Sequence, residues 1–333
     1  MMPLVPGREE HLQARFEALR SPHPALRMAA PLAGLRRQAR PKGAPAAPAA
    51  PAATNKAKPT FLFKKADPAV KAQREPQPGP CRQAVHLRII NGQKAVLGQF
   101  PWQAGLLADF GEEGKAWCGG SIIHSQWILT AGHCVDDNAL GYQVSVGSLG
   151  SEQGGEVTRQ VFRGLTTFYQ HPAYNPYFID NDIAIIPLPS HIKFSAWCRP
   201  VQLPSYSMAT DMMAGTTGIV SGWGKTADGD QWITKDLMYT STTIDGGKSC
   251  YDYYGNAWIA NKICIKVIDN HAFCSGDSGG AFTFEEEPDL HTQLGIVSFG
   301  AAKGCELGLP IVYTRLASFL QFVEDVTNIA IRD

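Results

Sequence analysis

The chain has 333 residues, and its 30 Lys and Arg are matched by 30 Asp and Glu, so the formal net charge at pH 7 is zero. That balance averages two unlike parts: residues 1–88 hold 16 basic and 5 acidic residues, a net of +11, whereas residues 89–333 hold 14 and 25, a net of −11. No window of about 18 consecutive apolar residues occurs, which excludes a membrane-spanning helix.

The first part of the chain is poor in core-forming residues. Of 23 Pro, 14 precede residue 89, while all seven Trp, all ten Tyr and 29 of the 33 Gly follow it. The Ala-Pro run at 44–53 and the Lys-rich stretch to Lys71 bury too little apolar surface to offset the entropy of ordering them, so residues 1–80 are read as mostly disordered. A secretory signal needs an apolar run near the start. Met1–Arg20 is instead interrupted by Arg8, Glu9, Glu10, Arg15, Glu17 and Arg20. Eight cysteines nevertheless suggest disulfides and an oxidising compartment. The expectation is that export is real and that the N-terminus is an unusual extension or an imperfect gene model.

Short β-rich runs follow: Gln103–Leu107, Ser121–Ile123, Trp127–Thr130, Tyr142–Val146, Ile183–Pro187, Thr217–Ser221, Leu237–Ile244, Leu294–Phe299 and Ile311–Arg315. Strands this short and regular predict a barrel or sandwich. At the C-terminus Leu316, Phe319, Leu320, Val323, Val326 and Ala330 recur at helical spacing, and Ser318 with Gln321 reads as a capping box. No internal repeat, metal-spaced Cys/His cluster, phosphate loop or dinucleotide fingerprint is present.

The most informative stretch is Cys274-Ser275-Gly276-Asp277-Ser278-Gly279-Gly280. A serine between glycines can sit on a tight turn whose backbone N–H groups converge on an oxyanion. Glycine-rich serine turns are common, so a base and an orienting carboxylate are needed as well. The base candidate is His133, in Leu129-Thr130-Ala131-Gly132-His133-Cys134; His171, His191, His271 and His291 read as exposed loop residues. The carboxylate candidate is Asp182, which abuts the apolar run Ile183-Ala184-Ile185-Ile186, where a charge is costly unless paired. Alone, Asp182 would read as a strand-edge gatekeeper.

Together these stretches resemble the trypsin/chymotrypsin-like serine protease family, in the chain order His133, Asp182, Ser278. The resemblance spans residues 89–333. It is carried also by Arg88-Ile89-Ile90-Asn91-Gly92, Gln99-Phe100-Pro101-Trp102-Gln103, Cys118-Gly119-Gly120-Ser121, Ser221-Gly222-Trp223-Gly224 and Val297-Ser298-Phe299-Gly300. It implies two six-stranded antiparallel β-barrels with a C-terminal α-helix, preceded by the disordered extension. Residues 1–88 would then be a basic extension and propeptide, and residues 89–333 the protease domain.

By the same resemblance Ser278 attacks a peptide carbonyl, His133 carries its proton, Asp182 holds the imidazole, and the N–H groups of Gly276 and Ser278 form the oxyanion hole. Cleavage after Arg88 would free the amino group of Ile89 to pair with Asp277, an acid in an apolar setting with no evident local cation. The resemblance pairs Cys118 with Cys134, Cys250 with Cys264 and Cys274 with Cys305; Cys81 and Cys198 remain and are expected to pair, tethering the propeptide. No cofactor and no metal is implied. The partners implied are protein or peptide substrates, an activating protease that cuts after Arg88, and protein inhibitors. A secreted monomer is expected, with no membrane partner.

By resemblance Ser298 lies beside Asp182 while its neighbours line the substrate cleft, and the primary pocket is expected to have Ala272 at its base, Phe273 beside it, Gly300 on one wall and Ile311 on the other, with Ser298 and Phe299 counted among its residues. Ala272 supplies no acid, so cleavage after Arg or Lys is rejected. Ile311 stands where many relatives have glycine and shortens the pocket, favouring small or medium apolar residues. The segment 298–306, followed by Pro310, is most similar to the brachyurin subgroup of arthropod digestive proteases, with Phe299 in place of the tryptophan of vertebrate enzymes. Gly132 and Ala281 are two further departures from the family pattern. An alternative reading is a catalytically weak homologue that serves as a binding module with an occluded pocket. A nucleic-acid role for the basic arm is disfavoured, because only Phe16, Phe61 and Phe63 interleave its charges.

Overall fold

Alternation of inward apolar and outward polar side chains drives residues 92–333 into antiparallel strands with short connections. The computed structural model describes residues 92–151, 158–255, 261–267 and 273–333. The extension, Cys81, the Arg88–Ile89 bond and Ala272 lie outside the described residues.

Eight strands lead the chain: β1 (Gln93–Lys94), β2 (Gln103–Asp109), β3 (Lys115–His124), β4 (Trp127–Thr130), β5 (Gly141–Val146), β6 (Gln160–Leu165), β7 (Tyr169–Gln170) and β8 (Ala184–Pro187). Six follow: β9 (Thr217–Gly222), β10 (Met238–Asp245), β11 (Lys262–Lys266), β12 (Ala281–Glu287), β13 (Leu290–Phe299) and β14 (Ile311–Arg315). The first sheet runs β6-β5-β2-β3-β4-β8-β7. The second runs β10-β11-β14-β13-β12-β9 and closes through β9 on β10, with β1 added at β10. Each sheet therefore has six principal strands and one two-residue strand at its margin, which accounts for seven strand elements where six were expected. Pairing is antiparallel throughout.

Ile122, Ile128, Leu129, Ile183, Ile185 and Ile186 are fully buried in the first unit of core, and Ile265, Phe282 and Tyr313 in the second. Buried polar pairs join the sheets. Ser221 Oγ donates to Gln103 Oε1 at 2.6 Å, and Ser121 Oγ donates to Gln293 Oε1 at 2.7 Å. Their burial demands that each be satisfied, which fixes how the two sheets meet.

Two helices occur among the described residues. The first, α1 (Lys248–Tyr254), carries no helical apolar stripe in the sequence and is held by the Cys250–Cys264 bond. The second, α2 (Leu320–Thr327), is the expected C-terminal helix. Its expected capping box does not form: residues Leu316–Ser318 make a 3₁₀ turn, Phe319 becomes the N-cap, and Gln321 Nε2 turns forward to donate to Asp325 at 3.0 Å. No helix among the described residues is long and apolar enough to cross a membrane.

Candidate active site

His133 sits in a 3₁₀ turn, Gly132–Cys134, directly after β4. Two devices fix that turn. The Cys118–Cys134 disulfide ties it to β3, and Gln170 Nε2 donates to Gly132 O at 2.9 Å. Gly132 is confined: a Cβ there would lie 3.1 Å from Ile183 N and 3.2 Å from Asp182 Oδ1, so the turn packs directly on the carboxylate.

Asp182 gathers the site. Its Oδ1 accepts the backbone N–H of His133 at 2.8 Å, and its Oδ2 accepts from His133 Nδ1 at 2.9 Å. Ser298 Oγ, from β13 of the other sheet, donates to the same Oδ2 at 2.5 Å. Thr314 Oγ1, from β14, donates to the Asp182 carbonyl at 2.8 Å. The Asp182 side chain is wholly buried while 29% of the His133 side chain is exposed, so the imidazole is backed by the carboxylate and partly open to solvent. Burial alone would raise the carboxyl, but the His133 charge and the donors on both oxygens hold it below the usual range. For His133 burial opposes the imidazolium, and the Asp182 charge and hydrogen bond outweigh it, raising the pKa above 6.5. An ionised carboxylate only accepts, so Nδ1 carries the proton and Nε2 is left as the basic nitrogen.

The Ser278 turn lies against this histidine turn. Ser278 O accepts the N–H of Gly119 at 2.7 Å and sits 3.6 Å from Cys134 Sγ. Gly276 has φ of +103°, a conformation that side-chain-bearing residues avoid. Neither the Gly276 nor the Ser278 N–H donates to a protein acceptor among the described residues, so two backbone donors flank the serine unspent. The Ser278 hydroxyl likewise makes no hydrogen bond to protein among those residues.

Asp277, between those donors, points the other way into the body. Its Oδ1 accepts from Gly224 N–H at 2.7 Å and its Oδ2 from Cys274 N–H at 3.0 Å. The approach is close enough that a Cβ at Gly222 or Gly224 would collide with the carboxylate. Burial pushes the Asp277 carboxyl up to about 6 against those two donors, and no cation pairs with it among the described residues.

The pocket candidates converge as well. Phe273 is buried with its ring 5.5 Å from that of Tyr313, and Ile311 is buried at the start of β14. A Cβ on Gly300 would lie 3.4 Å from Ile311 Cγ2 and 3.9 Å from Phe273 Cζ. Two apolar side chains, Ile311 and Phe273, thus lie within van der Waals reach of Gly300. Phe299 packs edge-on to Tyr254, 5.4 Å between centroids. Cys274 and Cys305 are joined by a disulfide, while Cys198 is buried and unpaired among the described residues. Two groupings of His, Cys and Asp lie close together, Cys118/His133/Cys134 and Asp228/Cys274/Cys305. Both cysteines of each are joined to one another, and a disulfide sulfur is no thiolate ligand.

Thr314, Gln170 and Lys262 were not singled out in the sequence. They act across 132, 38 and 82 positions, and an isolated Thr, Gln or Lys carries no local signal for that.

A family model described as Trypsin matches residues 89–323. The chain is 34% identical over 243 residues to a collagenase of Hypoderma lineatum, covering 73% of this chain and 88% of that protein. It is 36% identical over 243 residues to a brachyurin of Leptuca pugilator, covering 72% and 99%. A solved structure described as HL collagenase superposes with a TM-score of 0.65 at 32% identity, covering 73% of this chain and all of that one.

Proposed function

We propose, from the premise that this chain belongs to the trypsin family of serine endopeptidases, that His133, Asp182 and Ser278 hydrolyse peptide bonds through an acyl-enzyme. The observation that carries the assignment is the double hold of Asp182 on His133, at the backbone N–H and at Nδ1. It leaves Nε2 free to take the Ser278 proton as Oγ adds to the scissile carbonyl. The N–H groups of Gly276 and Ser278 then stabilise the oxyanion, worth about 2.7–4 kcal/mol per donor. His133 returns the proton to the leaving amine, the C–N bond breaks, and water repeats the sequence on the ester.

The protein is a zymogen in this reading. Residues 1–88 are a basic extension and propeptide, and residues 89–333 are the protease domain. An activating protease cuts Arg88–Ile89, and the new ammonium of Ile89 pairs with Asp277. Asp277 is buried and has no cation beside it among the described residues, which supports this. Export is supported by the three disulfides. A Cys81–Cys198 bond would keep the cleaved propeptide attached, so the activated protein should run as one band without reductant and two with it. Protein inhibitors that occupy the cleft would be natural partners.

Specificity is for small or medium apolar residues before the scissile bond, because Phe273 and Ile311 lie within van der Waals reach of Gly300. The same crowding favours a second reading, a binding module whose cleft admits no side chain. Profiling the activated 89–333 domain on a peptide library separates them. Cleavage after Ala or Val that is lost in Ser278→Ala supports the protease; no cleavage of any peptide supports the binding module, and preference for Arg or Lys overturns the pocket reading.

A further inference from the structure

Lys262 opens β11 in the second sheet, and its side chain is only 3% exposed. A buried ammonium is costly unless it is paired and hydrogen-bonded. Its Nζ donates to Asp180 Oδ1 at 2.6 Å and to the carbonyl of Phe178 at 3.2 Å, and lies 5.2 Å from the centre of the Phe299 ring. Both oxygen partners belong to the loop of the first sheet that ends at Asp182.

That loop has a costly shape. Asn175 and Asp180 exchange backbone hydrogen bonds at 3.0 and 3.2 Å, closing a tight hairpin. Ile179 and Asn181 take φ of +52° and +53°. The left-handed region suits Asn, whereas a β-branched residue enters it only when its surroundings compel it. The compulsion comes from the other sheet. Beside Lys262, Asn261 Nδ2 donates to Asn181 Oδ1 at 3.0 Å, and Asn181 Nδ2 donates to Ala173 O at 2.8 Å. Thr314, the register partner of Lys262 across β11 and β14, holds the Asp182 carbonyl. Residues 178, 180, 181 and 182 are thus each gripped by Asn261, Lys262 or Thr314, where the start of β11 faces the end of β14, and Lys262 is the charged member of that grip.

We infer that Lys262, through its buried pair with Asp180, is a positioning residue that holds the strained Ile179–Asn181 turn so that both Asp182 oxygens face His133. Buried ion pairs contribute little net stability compared with apolar replacements, and their better-attested use is to select one geometry. The inference rests on the reading of Asp182 as the orienting carboxylate.

The test compares Lys262→Met, Asp180→Asn and the double variant with the parent in the activated full chain, using a small ester that occupies only the primary pocket. Rates are expressed per active site titrated by burst. Lys262→Met is expected to lower kcat at least tenfold with KM changed less than twofold. A role in stability alone would lower the melting temperature and leave kcat per titrated site intact. If Lys262→Met does not fold, the double variant, which leaves no charge unpaired, carries the same expectation. A kcat within twofold of the parent in the folded variant overturns the inference. Asp182→Asn serves as the control: if it leaves kcat unchanged, the triad reading fails; if it abolishes turnover while the Lys262 variants do not, the positioning role alone fails.

Discussion

Ser298 lies in β13 of the second sheet and Asp182 in the loop that leads into β8 of the first, yet the Ser298 hydroxyl donates at 2.5 Å to the same Asp182 oxygen that takes His133 Nδ1–H. The carboxylate is therefore held by donors from both halves of the molecule, and the geometry of the proposed catalytic pair depends on how the halves dock.

Removing the Ser298 donor leaves Asp182 buried with one charge-assisted hydrogen bond fewer, a loss of about 1.5–3 kcal/mol. Ser298→Ala is expected to lower kcat about 10- to 100-fold without loss of the folded state. Stopped-flow acylation rates, with a circular dichroism melt as control, check this. An unchanged rate would show that the His133 contacts alone fix the carboxylate.

The pH dependence of kcat/KM has a definite direction. In the proposed mechanism His133 serves as the base only when neutral, and burial lowers its pKa while Asp182 raises it by more, to above 6.5. Activity should therefore rise with pH along a limb centred above 6.5. Asp182→Asn removes the charge that raises it, so the limb moves to lower pH while the plateau falls about 10⁴-fold. A limb that stays in place contradicts the pairing.

Asp277 gives the uncut chain a separate pH signature. Its folded pKa of about 6 lies above the ordinary 3.8. The folded state binds the proton more tightly, so the stabilisation is fully present below the lower value and is lost as pH rises through the upper one. The loss is on the order of 3 kcal/mol. Urea midpoints of the uncut chain should fall across this range and flatten in Asp277→Asn. If cleavage at Arg88 supplies the proposed Ile89 ammonium to Asp277, the decline should disappear in the cleaved protein.

The proposed pocket, with Ile311 and Phe273 beside Gly300, predicts an engineered change of specificity. Ile311→Gly opens space beside Phe273, at a stability cost of about 2–5 kcal/mol for the lost core volume. Cleavage after Leu or Phe should rise at least tenfold relative to cleavage after Ala. An unaltered preference would show that Phe273 alone sets the depth, which Phe273→Ala then tests.

Legibility in the sequence followed the range of the interactions. Strand β14 was read at its observed bounds because Ile311–Arg315 carries its own β-branched run. Strand β11 was missed because Lys262 and Lys266 bracket it, and Lys262 is buried for a reason located 82 positions away. Strand β12 ends in Glu285, Glu286 and Glu287, which mask its buried start at Ala281–Thr283. His133, Asp182 and Ser278 stood out because each needs a particular local turn, and such turns leave motifs. Family resemblance already places Ser298 beside Asp182, whereas Thr314 contributes one hydroxyl from an ordinary strand with no motif around it, so its reach to the Asp182 carbonyl is visible only once the sheets are docked. The Ser318–Gln321 capping box failed for a local reason, since the preceding 3₁₀ turn moved the helix start to Leu320.

The central claim is that Ser278 is an activated nucleophile. Incubating the Arg88-cleaved protein with an alanyl or valyl phosphonate ester and mapping the adduct by peptide mass spectrometry tests it most directly. The account predicts one adduct, on Ser278, formed in the parent and absent in His133→Ala. An unlabelled Ser278 in cleaved, folded protein, or a label that persists without His133, would contradict it.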